Sequence, residues 1–217
     1  KIFISILLIL GATYAYNAED TITFLDDYPN IQWVYDTSMN GTNYIVEELH
    51  SFELNKVRAK LTSYTPHAPA FDMLFDYNEG YMLFYYNLTG GCRILDLEKK
   101  DLSTYYKNIL KDHTEYAGKR GHLDLFEIKE PEKESRTWLY GIMSQHEDLG
   151  KEVFLPVMMQ VHDPMLHVDY ESNFLDSLTF PEVSEKDFDY SMCKRATEES
   201  PLEDMNPAMD FIKTRFE

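Results

Sequence analysis

Apolar and polar residues alternate with a period of two through much of the chain, and this is the pattern of β-strands that bury one face. The alternation is clear from Val57 to Tyr64, where basic residues occupy the positions between the apolar ones. Two further segments of this kind, Phe71–Asp76 and Tyr81–Tyr86, are joined by Tyr77-Asn-Glu-Gly, whose Asn and Gly can adopt the positive φ angles of a tight turn. The two segments are therefore predicted to form a hairpin.

Six more strands and one helix complete the predicted elements. From Leu102 to Leu110 the apolar residues recur at helical spacing behind Asp101, a good N-cap, and predict a single amphipathic helix. The remaining strand candidates are Tyr44 to Leu49, Cys92 to Leu95, His122 to Ile128, Thr137 to Met143, Val153 to Val161 and Leu166 to Tyr170. Many antiparallel strands with one helix predict a sheet-dominated α+β fold, a curved antiparallel sheet with at least one helix packed on it.

The first residues have the pattern of a secretory signal. A basic start at Lys1 precedes an apolar run to Leu10 that is too short to span a bilayer, and small residues follow at Thr13 and Ala15. We interpret residues 1–18 as a signal peptide, with a buried N-terminal strand as the alternative. No later stretch is long and apolar enough for a transmembrane segment. We expect a secreted, extracellular protein with one domain over residues 19–193 and an acidic tail, linker or start of a further segment over 194–217.

Two sequons and two cysteines agree with secretion. Asn40 and Asn87 each begin an Asn-x-Thr sequence, which predicts a glycan on each. Cys92 and Cys193 are the only cysteines, and an isolated pair in an oxidising compartment usually forms a disulfide. Two free buried thiols are the alternative.

The charge of the chain narrows the choice of partner. Lys and Arg number 20 against 38 Asp and Glu, which gives a net charge of −18. A nucleic acid needs basic patches, so nucleic acid binding is not expected. An anionic membrane surface would also repel the protein, but a single lipid held in a pocket would not be excluded.

The sequence carries no catalytic motif, and we expect no enzyme activity, no metal site and no cofactor. His162, Asp163, His167 and Asp169 lack the spacing of zinc proteases, and no Gly-x-Ser-x-Gly elbow occurs. The Gly-rich stretch 118–121 could cradle an anion, although a surface loop is the simpler interpretation. Cys92 could act as a nucleophile only as a free thiolate.

Three segments are apolar at consecutive positions, whereas a strand with one solvent-exposed face should alternate. They are Tyr81 to Tyr86, Trp138 to Met143 and Val153 to Met159. One explanation is a packed core or a dimer interface. The other is an apolar cavity lined by aromatic and methionine side chains, which adapt to a flexible acyl chain. We predict as ligand-binding residues Phe75, Met82, Phe84, Trp138, Tyr140, Ile142, Phe154 and Met158, with the reservation that strand parity can transfer the role to their neighbours.

Two stretches resemble a known family. The stretch Phe71 to Cys92, with its Phe-Asp-Tyr-Asn-Glu-Gly hairpin, aromatic strand, Asn-x-Thr and Gly-Gly-Cys, resembles ependymin-related proteins and secreted animal proteins with domains similar to the bacterial LolA lipoprotein carriers. Phe188 to Cys193 resembles the Phe-Asp-x-Ser-x-Cys element that closes such domains. The resemblance covers about Thr21 to Cys193. Ependymins proper carry more than two cysteines, so this chain is closer to the broader LolA-like group.

This resemblance implies a fold and a function. The fold is a LolA-like half-barrel with a deep apolar pocket and a disulfide between Cys92 and Cys193, and the function is binding or carrying a lipid, a fatty acid or another hydrophobic molecule. A lipocalin is the competing fold, but its Gly-x-Trp opening is absent because Ile31-Gln32 precedes Trp33. The alternative function is a structural or interaction module of a larger extracellular protein, and a homodimer is possible.

Overall fold

The computed structural model describes residues 28–39, 42–64, 70–86, 91–130, 135–146, 151–163, 168–175 and 179–193. The predicted signal peptide (1–18), the two sequon asparagines Asn40 and Asn87, and the predicted tail (194–217) lie outside the described residues. Those predictions stay predictions.

A single antiparallel sheet dominates the described chain, as the alternating pattern predicts. Its strands are β1 (Asn30–Met39), β2 (Thr42–Ser51), β3 (Lys56–Ser63), β4 (Phe71–Asp76), β5 (Tyr81–Tyr86), β6 (Gly91–Asp96), β7 (Thr114–Arg120), β8 (Leu123–Glu130), β9 (Ser135–His146), β10 (Lys151–Asp163) and β11 (Val168–Phe174). Their spatial order is β6-β5-β4-β3-β2-β1-β11-β10-β9-β8-β7. The sheet is therefore two meanders, β1–β6 and β7–β11, joined where the first strand pairs with the last.

The predicted hairpin and helix are confirmed. Asp76 ends β4 and closes the turn to β5, because its carboxylate accepts hydrogen bonds from the backbone N–H groups of Asn78 and Glu79 at 3.1 and 3.0 Å. The helix α1 (Leu102–Asn108) begins at the expected cap, where Asp101 Oδ1 accepts the N–H of Thr104 at 2.7 Å. One π-helical turn, Ile109–His113, extends α1 to β7.

Two strands were not predicted from the sequence. β1 is at the centre of the sheet, and β7 forms one edge. The Gly-rich stretch 118–121, interpreted as a surface loop, instead contributes residues 118–120 to β7, and only Gly121 and His122 form the turn to β8. The loop interpretation is thus wrong: the strand pairs with β8 from Thr114 onward, and the ladder is interrupted by a bulge between Tyr116 and Gly118.

The sheet has two faces, which we name by what packs on them. The helix face carries α1, whose buried Leu102 and Leu110 pack into two apolar clusters. One of these clusters includes both Ile31 of β1 and Phe126 of β8. These strands are four places apart, about 19 Å in a flat sheet. Their joint packing with Leu110 shows that the sheet curves around the helix, which is the arrangement that the LolA-like resemblance implies.

The outer face is the opposite side, and residues 183–193 cover part of it. Phe188 and Tyr190 pack on Leu74 and Leu83 of the first meander, and the predicted disulfide joins Cys92 of β6 to Cys193. A hydrogen bond also joins this segment to the sheet: Tyr190 OH donates to Asp72 of β4, whose carboxylate also binds Arg58 of β3 at 2.9 Å. In the described residues no helix has the length and hydropathy of a membrane span.

Candidate functional site on the helix face

The helix face is apolar across most of its strands. In the first meander the inward side chains come from alternate positions of five strands, and they are buried: Tyr35, Tyr44, Val46, Val57, Ala59, Leu61, Phe71, Met73, Phe75, Met82 and Phe84. The aromatic rings pack in tilted pairs, with centroids 5.0 Å apart for Phe71 and Phe84. This surface continues through Phe126 and Phe154 in the second meander, whose centroids lie 4.9 Å apart.

Methionines recur on the same face. Met73 and Met82 are buried in the first meander, Met159 is buried in the second, and Met143 packs on the cluster around Phe154. The unbranched thioether side chain fits irregular spaces and repacks at low cost. A face with these residues can adjust to a flexible apolar molecule more easily than a face of branched residues.

A buried polar cluster interrupts this apolar surface. Glu48 of β2 is 1% exposed, and its carboxylate accepts hydrogen bonds from Trp33 Nε1 and from Tyr35 OH, both at 2.6 Å. His50 is also 1% exposed, and its Nε2 lies 3.1 Å from Glu48 Oε2. Both carboxylate oxygens are therefore hydrogen-bonded, which is what makes the burial of this acid tolerable.

The same cluster also connects α1 to β2 of the sheet. Tyr106 OH of α1 lies 3.3 Å from His50 Nδ1. If His50 carries its proton on Nε2, that nitrogen donates to Glu48 and Nδ1 accepts from Tyr106. The rings of His50 and Tyr106 also meet edge to face, with centroids 5.8 Å apart. The position of α1 over the sheet thus depends on a polar contact as well as on Leu102 and Leu110.

Burial changes the acidity of two tyrosines in this region. Desolvation raises the pKa of Tyr77, and the neighbouring Tyr105 and Glu48 raise it further. Desolvation likewise raises the pKa of Tyr44, with a hydrogen bond to Thr42 opposing the effect and Tyr86 adding to it. Both phenols are therefore neutral at physiological pH.

The eight predicted ligand-binding residues divide equally between the two faces. Phe75, Met82, Phe84 and Phe154 are buried on the helix face. The other four lie on the outer face. Trp138, Tyr140 and Ile142 alternate along β9 with the helix-face residues Leu139 and Gly141, and Met158 pairs with Tyr140. The structure therefore brings four of the eight together and separates the other four from them.

The outer-face residues form a partly exposed apolar patch. Ile142 is 42% exposed, and Val157, at the bulge of β10, is 40% exposed. Tyr140 OH donates to Gln160 at 3.0 Å, and Gln160 in turn donates to Glu171 at 2.9 Å. This patch is bordered by acidic residues and has no helix on it among the described residues.

The polar cluster of Glu48, His50, Trp33, Tyr35 and Tyr106 was not predicted from the sequence. A signal for it exists, since Glu48 and His50 continue the alternation Tyr44, Val46 on the buried side of β2. An acid at a core position is a recognisable exception to the pattern. Among the described residues, no group of three or more His, Cys, Asp or Glu is placed to hold a metal ion.

Comparison with known proteins finds structural likeness alone. No family model matches the chain, and no curated protein matches it. An uncharacterized conserved protein from Thermus thermophilus superposes with a TM-score of 0.45 at 9% identity, over 79% of this chain and 88% of that one. A domain described as an outer membrane lipoprotein-sorting protein from Vibrio parahaemolyticus gives 0.44 at 12%, over 82% and 100%.

A third solved structure, a DUF1329 family protein from Desulfovibrio piger, gives a TM-score of 0.40 at 11% identity, over 80% of this chain and 96% of that one. With TM-scores of 0.45 or lower, these likenesses carry no argument about what this chain does. The predicted ependymin relationship has no counterpart among the three.

Proposed function

We propose that this protein is a secreted carrier that binds a lipid or another hydrophobic molecule between its helix face and α1, without catalysis. One observation carries the proposal. The sheet has eleven strands, about 48 Å across if flattened, and the described residues place one short helix on its apolar face. A helix about 10 Å wide whose buried residues are Leu102 and Leu110 covers a small part of such a face. Because the inward side chains of the sheet are already buried, a ligand would enter by repacking them.

Two further features support an apolar ligand. The methionines of the helix face can repack around an acyl chain, whose burial is worth about 0.8 kcal/mol per methylene. About ten buried methylenes would then give micromolar affinity after the cost of association. The net charge of −18 disfavours anionic surfaces and does not oppose a neutral chain.

The test is the displacement of a neutral fluorescent probe, N-phenyl-1-naphthylamine, by aliphatic ligands, with two adjacent residues as a matched pair. Met143 packs on the helix-face cluster, and Ile142 lies on the outer face. We expect Met143→Gln to weaken binding at least tenfold and Ile142→Gln to leave it unchanged. Absence of saturable probe binding to the wild-type protein, or equal effects of the two variants, would refute a site on the helix face.

The outer-face patch supports a second candidate, an interaction module. Ile142 and Val157 are exposed, and Trp138 and Met158 lie on the same two strands. Native mass spectrometry distinguishes the two functions. Co-purifying lipid supports a carrier, and a lipid-free stable oligomer that Ile142→Gln dissociates supports a module.

A further inference from the structure

Two hydroxyl groups on the helix face are buried without a hydrogen-bond partner. Thr37 of β1 and Ser172 of β11 are 4% and 0% exposed, and they lie directly opposite each other in the register of the two strands. Within the described residues, neither Thr37 Oγ1 nor Ser172 Oγ finds a donor or acceptor. Two adjacent buried hydroxyls that bond neither to each other nor to any other described residue are uncommon in folded proteins and indicate a missing partner.

The surroundings of this pair are apolar. Tyr44 lies opposite Thr37 on β2, and Met159 lies opposite Ser172 on β10. The next pair along the same face is Tyr35 and Phe174, whose ring centroids lie 5.7 Å apart. Tyr35 OH already donates to Glu48, so it offers no free proton to the two hydroxyls.

The charged side chains next to the pair in the chain, Asp36 and Glu171, lie on the outer face, where they bind Asn173 and Gln160. On the helix face the buried charged side chains of β2 and β6 are distant from the pair. Glu48, paired in register with Trp33, lies four residues along the strands from Thr37, about 13 Å away. Arg93 of β6, whose Nη1 is buried without an acceptor, lies five strands from β1, about 24 Å away in a flat sheet. A charged group beside Thr37 and Ser172 would lose its hydration and gain no counter-ion.

We propose that Thr37 and Ser172 bind the uncharged polar head of an amphipathic lipid, an alcohol, ester or unionised carboxyl, whose chain lies along the helix face. The inference rests on the proposed function and names the ligand class for the same site. Each hydroxyl can donate to a carbonyl oxygen or accept from an alcohol. Met159 and the other methionines of this face provide the adaptable surface for the chain beside the head.

The experiment compares dodecanol, dodecane and dodecanoate as competitors of N-phenyl-1-naphthylamine at neutral pH. Thr37→Val and Ser172→Ala are combined in one variant, because both remove a hydroxyl with little change of shape. Thr62→Val, at an exposed position on the outer face of β3, is the control. The quantity measured is the ratio of dodecanol affinity to dodecane affinity. The hydration of the free ligands is the same for every variant, so it does not affect the comparison of this ratio between variants.

We expect the double variant to lower this ratio about tenfold, which corresponds to 1.4 kcal/mol, and the control to leave it unchanged. The melting temperature of the unliganded double variant should equal or exceed that of the wild type, because unpaired hydroxyls stabilise nothing. A ratio that does not change would overturn the head-group assignment while leaving the carrier intact.

Three other outcomes are equally informative. A melting temperature several degrees lower in the double variant would show that the hydroxyls are satisfied in the unliganded protein, and would overturn the inference. Tighter binding of dodecanoate than of dodecanol would assign the head to a cation such as Arg93 instead. Failure of all three compounds to displace the probe from the wild type would refute the carrier itself, and the inference with it.

Discussion

His50 Nε2 lies 3.1 Å from Glu48 Oε2, and both side chains are enclosed by the helix face. The two residues are separated by one position on β2, so they share a face of the sheet as the strand period requires. Trp33 lies beside both, since its Nε1 binds Glu48 and its ring centroid is 4.8 Å from that of His50. This contact organises a polar centre inside an otherwise apolar surface.

Removing the acid of this cluster should destabilise the fold. Glu48→Leu leaves Trp33 Nε1, Tyr35 OH and His50 without their shared acceptor. Each unpaired buried group costs about 1–3 kcal/mol, so the free energy of unfolding should fall by at least about 3 kcal/mol in urea titration. Glu47→Gln on the exposed side of β2 is the matched control and should change it by less than about 0.5 kcal/mol. Similar losses for both variants would contradict the assigned role of Glu48.

The disulfide should be a large contributor to stability. Cys92 and Cys193 close a loop of 101 residues, for which the chain-entropy model gives about 4–5 kcal/mol. Cys193→Ser should lower the free energy of unfolding by about that amount, measured by chemical denaturation. The double variant Cys92→Ser/Cys193→Ser should lose no more than the single one, because both remove the same cross-link. Additive losses would show that the cysteines act separately.

Gly141 should tolerate no larger side chain. A Cβ at this position of β9 would lie 2.6 Å from the ring of Phe154 and would also meet the carbonyl oxygen of Leu155. Gly141→Ala should therefore lower the free energy of unfolding by about 1–3 kcal/mol, measured by thermal or urea unfolding. Adding Phe154→Leu should recover part of the loss by relieving the ring contact. An unchanged stability of Gly141→Ala would show that β9 and β10 are spaced more widely than described.

The cap of α1 should make a small, pH-dependent contribution. Hydrogen bonds from Thr104 lower the pKa of Asp101, so the folded state favours the ionised form. The stabilisation is complete above the ordinary Asp pKa of about 3.9 and disappears as the pH falls through the lower folded value. Asp101→Ala should cost about 1 kcal/mol at pH 7 in urea titration.

Asn is the control for this ionisation, because it also caps helices well and does not titrate. The difference in free energy of unfolding between the wild type and Asp101→Asn should therefore change only in the acid range. As the pH falls there, the wild type should lose stability relative to the variant. A difference that is constant from pH 7 to pH 3 would contradict the assignment.

Much of the fold was predictable because the strands alternate locally, and the hairpin from Phe71 to Tyr86 also carries its own turn residues. β1 was missed although Ile31, Trp33 and Tyr35 alternate, and β7 was missed because Gly118 and its charged residues indicate a loop. A hairpin signal for β1 does exist, since Asn40-Gly41 separates it from β2, but these residues were interpreted only as part of a sequon. The pairing of β1 with β11 depends on residues far apart in the chain, and local patterns do not report it.

The candidate site was predicted in part, and the division of its residues has a physical cause. Phe154 and Met158 are four positions apart and should share a face of a regular strand. The bulge between Pro156 and Met158 shifts the register of β10 and places them on opposite faces. In β9, Trp138, Tyr140 and Ile142 do share a face, but a segment that is apolar at consecutive positions does not reveal which of its sides turns inward.

The junction of the two meanders has a consequence for biosynthesis. The backbone N–H of Asn173 in β11 donates to Oδ1 of Asp36 in β1 at 3.0 Å, yet the two residues are 137 positions apart. At about 5–20 residues per second, a ribosome needs roughly 7–27 s to add that length of chain. For that time one side of β1 has no partner strand, although its other side can already pair with β2. The nascent chain thus presents an open strand edge, a site where a chaperone can bind or another chain can add wrongly, until the last strand emerges.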